Sequence, residues 1–533
     1  MAWGVLYLRT MKIRSFLFAS IGLIASTSSN SRADDPDDDS IDGPEAKAEH
    51  AVKIQDLLEV AIRLNADLAR AKSDRNTAKG EAGGSRSDQA LILTASANYE
   101  RNAINDAVPV LPYTSVAEDK IAGQVGLGSK VPTGGSWEID FGLSRTNQEY
   151  AVPDINTQST TMGMQPPDEF VSATQATLSL KLEQPLLRKF GPNIALAAAH
   201  KADLALVGAT LKAQVAAEDL VKDIVTGYWE LAYTAYEVDV RHESLELAKR
   251  QEAITHEAIR AGTISPNEAG TVSYEIATRE EALLHSQGDW ESKSLDLRRK
   301  VGLEIGRREV VLRPAEAFEI THEEWDINAL IEHAKKSNRK LAVVAIQRKI
   351  ADIDVDVAAN NELPDITASL AGSVIGGDKF EGNAFASLAS GDGFTIMAGL
   401  KFQYEISGAA KSNHEAAISK RHKSDIDRVD QSRQIETQIV AAVHQIDGAR
   451  ARVALSEKAI GIAEASMRAI NTSYVAGKST TFEVMQKETQ LIEARLKRGK
   501  AVSDYHVAVA QLQYLSGLIL EQYNVNARPK QEK

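Results

Sequence analysis

The chain of 533 residues contains no cysteine. That absence excludes thiol catalysis, Cys-ligated zinc, disulfide staples and an N-terminal lipidated cysteine, so any membrane attachment has to come from the fold itself. Beyond the N-terminal segment there is no run of about 18 apolar residues, which excludes a helical transmembrane span there. Positive charge is in deficit. Lys and Arg number 61 against 74 Asp and Glu, a net charge of -13, and no basic patch stands out, which argues against a nucleic-acid partner because phosphate binding needs a basic surface. Catalytic signatures are missing as well. VGLGSKV lacks the third glycine of a dinucleotide loop, GSVIGGDK misplaces its lysine for a phosphate-binding loop, and no GxSxG elbow occurs. The 11 histidines are scattered, with no HExxH and no helical i, i+4 pair. The expectation is a protein with no catalytic residues, no cofactor and no metal.

Proline is absent between Pro192 and Pro266, and again between Pro364 and Pro529. An apolar stripe with many alanines, among them Ala198, Ala202, Ala205, Ala209, Ala213 and Ala217, runs through the first of these stretches. At 1.5 Å per residue, a helix of about 70 residues reaches about 100 Å, far beyond an ordinary globular helix. Turns near Pro266 and Gly477 then return the chain as second helices. Such hairpins bury too little alone and require other hairpins as neighbours.

At the N-terminus, Lys12 and Arg14 precede the short apolar run FLFASIGLIA, and Ser31-Arg32-Ala33 offers a cleavage site, so the segment reads as a secretory signal starting at Met11. About ten apolar residues are too few for a membrane anchor. DDPDDDS then opens an acidic leader.

IQDLLEVAIRLNADLA (54–69) aligns without gaps on INALIEHAKKSNRKLA (327–342), pairing Leu57 with Leu330, Glu59 with Glu332, Ala61 with Ala334, Asn65 with Asn338 and Leu68 with Leu341. The order helix, β region, long helix, turn, long helix also occurs twice. Period-two alternation marks strand candidates at 91–99, 120–131, 136–146 and 173–187, then at 365–375 and 393–406. Leu178, Leu180 and Leu182 alternate with Thr177, Ser179 and Lys181. This pattern fits a membrane barrel strand and equally a half-buried strand of a soluble sandwich. If the strands are in a membrane, a handful per chain cannot close a barrel, and several chains must join.

The expected fold class is therefore mainly α with a membrane β-barrel portion, built as a duplicated repeat of helix, strands and long helical hairpin. The expected organisation is a signal peptide (1–33), an acidic disordered leader (34–50), a first repeat (51–310, strands about 91–187, hairpin about 192–303), a linker with Pro314 and Trp325 (311–325), a second repeat (326–520, strands about 365–406, hairpin about 409–519) and a tail (521–533).

Three kinds of site resemble the TolC-like outer-membrane efflux family: the repeat start IQDLLEVAIRLNADLA, the junction LSLKLEQPLLRKFGPNIALAAA with its second copy AGLKFQYEISGAAKSNHEAA, and the turns AGTISPNEAG and VAGKSTTFEVMQKETQL. The resemblance spans nearly the whole mature chain. It implies a homotrimer whose chains share one β-barrel in outer-membrane lipid and build an α-helical periplasmic tunnel, with a periplasmic adaptor protein and an inner-membrane pump as partners. It also implies a passive conduit for efflux or type I secretion in the outer membrane of a double-membraned bacterium. A soluble periplasmic coiled-coil adaptor or structural spacer is the alternative.

In that family the turns form the periplasmic tip. Gly262 and Gly477 are expected as helix C-terminal caps, and Ser265 with Glu268 and Thr480 with Glu483 as two equivalent capping boxes, Pro266 sitting at the first helical position. Glu268 and Glu483 also fall where the family places acidic residues near the aperture, and Tyr474 fits its aperture tyrosine. The sequence departs from the family at Ser479, where some members carry arginine, and at Gln486, where they carry a second carboxylate. It departs again in having four strand candidates in the first β region, where the family usually has two. Residues 120–150 are either an added hairpin decorating the surface or an enlargement of the barrel.

Overall fold

The computed structural model describes residues 48–103, 114–151, 170–262, 265–303, 310–378, 381–391 and 393–525. The signal segment, nearly all of the acidic leader and the last residues of the tail lie outside the described residues. The chain begins with β1 (Ala48–Val52), α1 (Ile54–Leu64) and α2 (Ala66–Ser85). Four strands follow: β2 (Ile92–Ala103), β3 (Thr114–Lys130), β4 (Ser136–Ala151) and β5 (Phe170–Pro185). A single turn, α3 (Pro192–Ala195), leads into α4 (Ala197–Arg260), which returns as α5 (Asn267–Val301). The second half runs through β6 (Val310–Pro314), α6 (Ile327–Ser337), α7 (Arg339–Asn361), β7 (Asp365–Asp378), α8 (Glu381–Ser390) and β8 (Gly393–Gln403). It ends with α9 (Ala409–Val475), α10 (Thr481–Ser516) and α11 (Ile519–Gln522). Strand β1 takes the last residues of the segment expected as leader, and β6 occupies the start of the expected linker.

With 64 and 67 residues, α4 and α9 are each about 100 Å long. On α4 the buried positions Val221, Ile224, Val225, Tyr228, Leu231, Ala232 and Ala235 recur at three- and four-residue intervals and form one face of the main core. Ile435, Ile439, Ala442, Val443 and Ile446 of α9 and Tyr505, Leu512 and Leu515 of α10 join the same cluster. Leu57 and Ala61 of α1 and Leu330 and Ala334 of α6 close it off.

The aligned asparagines do the same work in each half. Asn65 Oδ1 accepts from Leu68 N at 2.9 Å while its amide donates to Lys300 O at 2.8 Å. Asn338 Oδ1 accepts from Lys340 N and Leu341 N, and its amide donates to Leu515 O at 2.9 Å. Each caps one helix and satisfies a carbonyl at the C-terminal end of the returning helix.

Strands β1 and β6 pair in parallel, Ala48 opposite Val310 through Val52 opposite Pro314. The Tyr228 hydroxyl holds this small sheet against α4, accepting from Ala315 N (3.0 Å) and Glu316 N (3.2 Å) and donating to Val52 O (3.2 Å). From α5, Trp290 Nε1 donates to Leu312 O at 3.1 Å, and Ser294 Oγ accepts from Leu312 N at 2.9 Å.

The other six strands form one open antiparallel sheet in the order β2-β3-β4-β5-β7-β8. Residues 120–150 are therefore inner members of the sheet rather than an appendage beside it. The tight turn between β3 and β4 depends on Gly134, at φ 93°, where a Cβ would lie 2.2 Å from Lys189 O.

The register separates the two faces of the sheet. Leu93, Leu127, Ile139, Leu180, Gly372 and Ile396 share one row, and Ala95, Val125, Phe141, Leu178, Val374 and Phe394 the next, all on one face. The opposite face carries rows such as Thr94, Gly126, Asp140, Ser179, Ser373 and Thr395. The apolar face is open: Phe394 is 72% and Ile396 70% exposed. Part of it is covered by α8, where Phe385 stacks on Phe141 at 6.1 Å and a Cβ on Gly376 would lie 2.2 Å from Leu388 N. No helix among the described residues is long and apolar enough to cross a membrane.

Near the start of α7, Arg339 forms an ion pair with the buried Glu218 of α4. Burial nevertheless dominates and pushes the Glu218 carboxyl from its ordinary 4.5 up to about 7, Arg339 opposing the rise.

Two outcomes follow from these contacts. Tyr228→Phe leaves Glu316 N without its partner, while Ala315 N and Val52 O keep their 3.0 Å bond to each other, and a loss on the order of 1 kcal/mol should appear as a lowered melting temperature. Because the folded-state pKa of Glu218 lies above its unfolded value, its contribution is fully present below the ordinary carboxylate value and is lost as pH rises through about 7. Melting temperatures measured from pH 4.5 to 8 should therefore decline less steeply in Glu218→Gln than in the native chain; parallel slopes would contradict this assignment.

Candidate functional site at the hairpin tips

Both long helices end through glycine in left-handed backbone. Gly477 has φ 70° and Gly262 φ 72°, and at neither would a Cβ touch anything within 4 Å, so conformation alone demands glycine. After α9, Gly477 N donates to Tyr474 O (2.9 Å) and Lys478 N to Ser473 O (2.9 Å), the paired bonds of a Schellman end. After α4, Gly262 N donates to Ile259 O at 3.0 Å.

The two returning helices start differently. Thr480 and Glu483 form the expected capping box: Glu483 N donates to Thr480 Oγ1 (3.3 Å), and Thr480 N donates to Glu483 Oε2 (2.9 Å). Ser265 and Glu268 do not form one, and the expectation of equivalent geometry is corrected here. Helix α5 starts at Asn267 with Pro266 as its N-cap, not at its first helical position, and no side-chain cap bond reaches Glu268. Ser265 Oγ instead receives a long 3.4 Å bond from Asn267 N, and Glu268 N donates to Ser265 O at 3.1 Å. The Glu268 carboxylate is thereby left over, and its Oε2 is buried with no hydrogen-bond partner among the described residues.

Glu268 lines a cleft of about 600 Å³ between the tips, together with Ser265, Tyr474, Gly477, Ser479 and Thr480. Five of the seven residues expected at the tip thus come together within a single chain. Gly262 and Glu483 are not among the described lining residues, and the exposed Glu483 is occupied by its cap. Tyr474 is the junction of the two hairpins. Its hydroxyl lies 3.3 Å from Thr255 Oγ1 of α4 and 3.3 Å from Thr481 Oγ1 of α10. Sequence reasoning missed both threonines, which are 1% exposed; a polar residue on the buried stripe of a long helix is the signal that could have found them.

Further along the hairpins, Arg279 of α5 bonds Glu488 Oε2 of α10 at 2.8 Å and Ser244 O of α4 at 2.9 Å. Both members of the ion pair are nearly fully buried, and burial raises the Glu488 carboxyl while Arg279 opposes the shift. Among the described residues no cluster of His, Asp and Glu could hold a metal ion.

Residues 330–518 match the family model described as outer membrane efflux protein. No curated protein matches the chain. Among solved structures, the outer membrane protein VceC of Vibrio cholerae is 16% identical with a TM-score of 0.62, the match covering 87% of this chain and 96% of that one. The CmeC outer membrane channel of Campylobacter jejuni is 12% identical with a TM-score of 0.62, covering 87% and 85%. The open-state MtrE outer membrane channel of Neisseria gonorrhoeae is 14% identical with a TM-score of 0.61, covering 87% and 89%. The fold is that of these channels, and the resemblance to the TolC-like efflux family read from the motifs agrees with both comparisons.

Thr480→Ala removes a working cap and should destabilise the first turn of α10 by about 1 kcal/mol, seen as faster amide exchange there. Ser265→Ala should have a smaller effect on α5, and equal effects would restore the symmetric reading.

Proposed function

We propose that the protein is an outer-membrane channel subunit of a tripartite efflux or type I secretion system, a passive conduit with no covalent chemistry. One observation carries the reading: a two-faced antiparallel sheet and two helical hairpins about 100 Å long are joined in one chain whose residues 330–518 match the efflux family. In this reading the strands lie in outer-membrane lipid and the helices in the periplasm. The duplicated halves, 51–310 and 326–520, build a homotrimer in which three sheets close one barrel. A periplasmic adaptor and an inner-membrane pump supply docking and energy.

The apolar sheet face favours this reading over a soluble periplasmic adaptor, which would hold Leu93, Phe394, Ile396 and Leu400 in water. At the tips, Glu268 serves the aperture: an unpaired carboxylate from each chain forms a ring that favours cations. Tyr474 ties the two hairpins of one chain at the same level.

Protein extracted from outer membranes should run as a trimer in detergent and give conductance steps in planar bilayers. A soluble, non-conducting protein missing from outer-membrane fractions would sink the proposal. Glu268→Gln should lower the cation-to-anion permeability ratio of the assembled channel without reducing trimer yield, and an unaltered ratio would leave Glu268 no aperture role.

A further inference from the structure

We propose that the β3–β4 hairpin is part of the barrel wall, so that each copy of this chain contributes six strands and its β2 and β8 edges join those of neighbouring copies. This rests on the channel reading above. With three copies it gives a barrel of eighteen strands.

The hairpin occupies the middle of the ladder. Strand β3 pairs with β2 from Ile92–Gly128 to Ala103–Ala117, and β4 pairs with β5 from Ser136–Glu183 to Glu149–Phe170. Lifting it out would break both ladders and leave two more unpaired edges, which hydrocarbon does not tolerate. At 17 and 16 residues, both strands exceed the roughly 9–11 that a tilted strand needs to cross a bilayer.

The faces agree row by row. Val125 and Phe141 lie beside Leu178, and Leu127 and Ile139 beside Leu180, so the apolar rows of β5 continue unbroken across the hairpin. A hairpin standing in water above the membrane would have no use for that continuity. On the other face Asp140 is nearly fully buried, 3.6 Å from Lys181 Nζ of β5, and Gly126 leaves the space its carboxylate fills: a Cβ there would lie 2.3 Å from Asp140 Oδ1. The polar face is thus also continuous between β3, β4 and β5.

Among the described residues the sheet is open, its outermost strands β2 and β8 each having one neighbour. These edges are 12 and 11 residues long and run antiparallel to each other, counted through five antiparallel pairings. The β2 edge of one copy can therefore continue the ladder of the β8 edge of the next without reversing strand direction. A second copy of the same chain is the occupant, since it alone supplies a complementary edge with its apolar rows at the same height. Barrel diameter grows roughly linearly with strand number, and eighteen strands enclose an open aqueous bore.

The natural absence of cysteine makes the test direct. Single substitutions Val125→Cys and Gln124→Cys, neighbours on opposite faces of β3, and Leu180→Cys on β5 are made in the full chain and probed in outer membranes with a water-soluble maleimide. The proposal expects Gln124→Cys to be labelled and Val125→Cys to be shielded to the same degree as Leu180→Cys. Labelling of Val125→Cys with Leu180→Cys still shielded would remove the hairpin from the wall while leaving the channel reading intact. Labelling of Leu180→Cys would overturn both. A variant that fails to reach the membrane is replaced by the neighbouring pair Ile139→Cys and Glu138→Cys on β4, read in the same way.

Discussion

Helices of 64 and 67 residues have no fixed place in space by virtue of their own hydrogen bonds, and one cross-braced level decides where they lie. There the Tyr228 hydroxyl joins β1, β6 and α4, Trp290 and Ser294 bring in α5, and Asn65 and Asn338 secure the helix ends. The main core is centred on this level. Away from it the helices rely on neighbours, and many of their side chains stay partly exposed in a single chain. The buried Arg279–Glu488 pair and the Tyr474 junction carry the bracing onward toward the tips. Burying a charged pair costs desolvation, and this pair links α5 of the first hairpin to α10 of the second.

The sheet poses the opposite problem. Its hydrogen bonds are satisfied along four inner strands and open at two edges, and its apolar rows face outward instead of toward a core. An isolated sheet of this kind is an aggregation hazard in water. Lipid on the apolar face and sister chains on the edges would remove both liabilities together, which is why the membrane reading and the oligomeric reading stand or fall jointly.

Much of the architecture was legible because its signals are periodic. Alternation placed all six strands of the large sheet within a few residues, since a strand with one wet and one apolar face has to alternate wherever it sits. The missing prolines marked the long helices for an equally simple reason. Asn65 and Asn338 emerged from the alignment, and the structure gives them one shared task. What escaped was short or context-dependent. Strand β1 is too brief to show a period, and α8, a helix of small residues, owes its place to Phe141 and Gly376 beneath it. At the tips, the spacing from Ser265 to Glu268 matches that from Thr480 to Glu483, yet only the second pair closes reciprocally. Pro266 begins the first turn in its own way, and spacing alone does not say where a carboxylate will turn.

The β3–β4 segment has one more property, which belongs to topology. It is a unit of two strands, one leading away from the helices and one leading back, so β5 enters α3 and α4 from the same end of the sheet at which β2 began. An odd insertion would have delivered the chain to the far side and stranded the hairpins there. An even one lets the girth of the sheet change while the helical section keeps its address. The two parts of such a molecule can therefore diverge in size independently, one hairpin at a time.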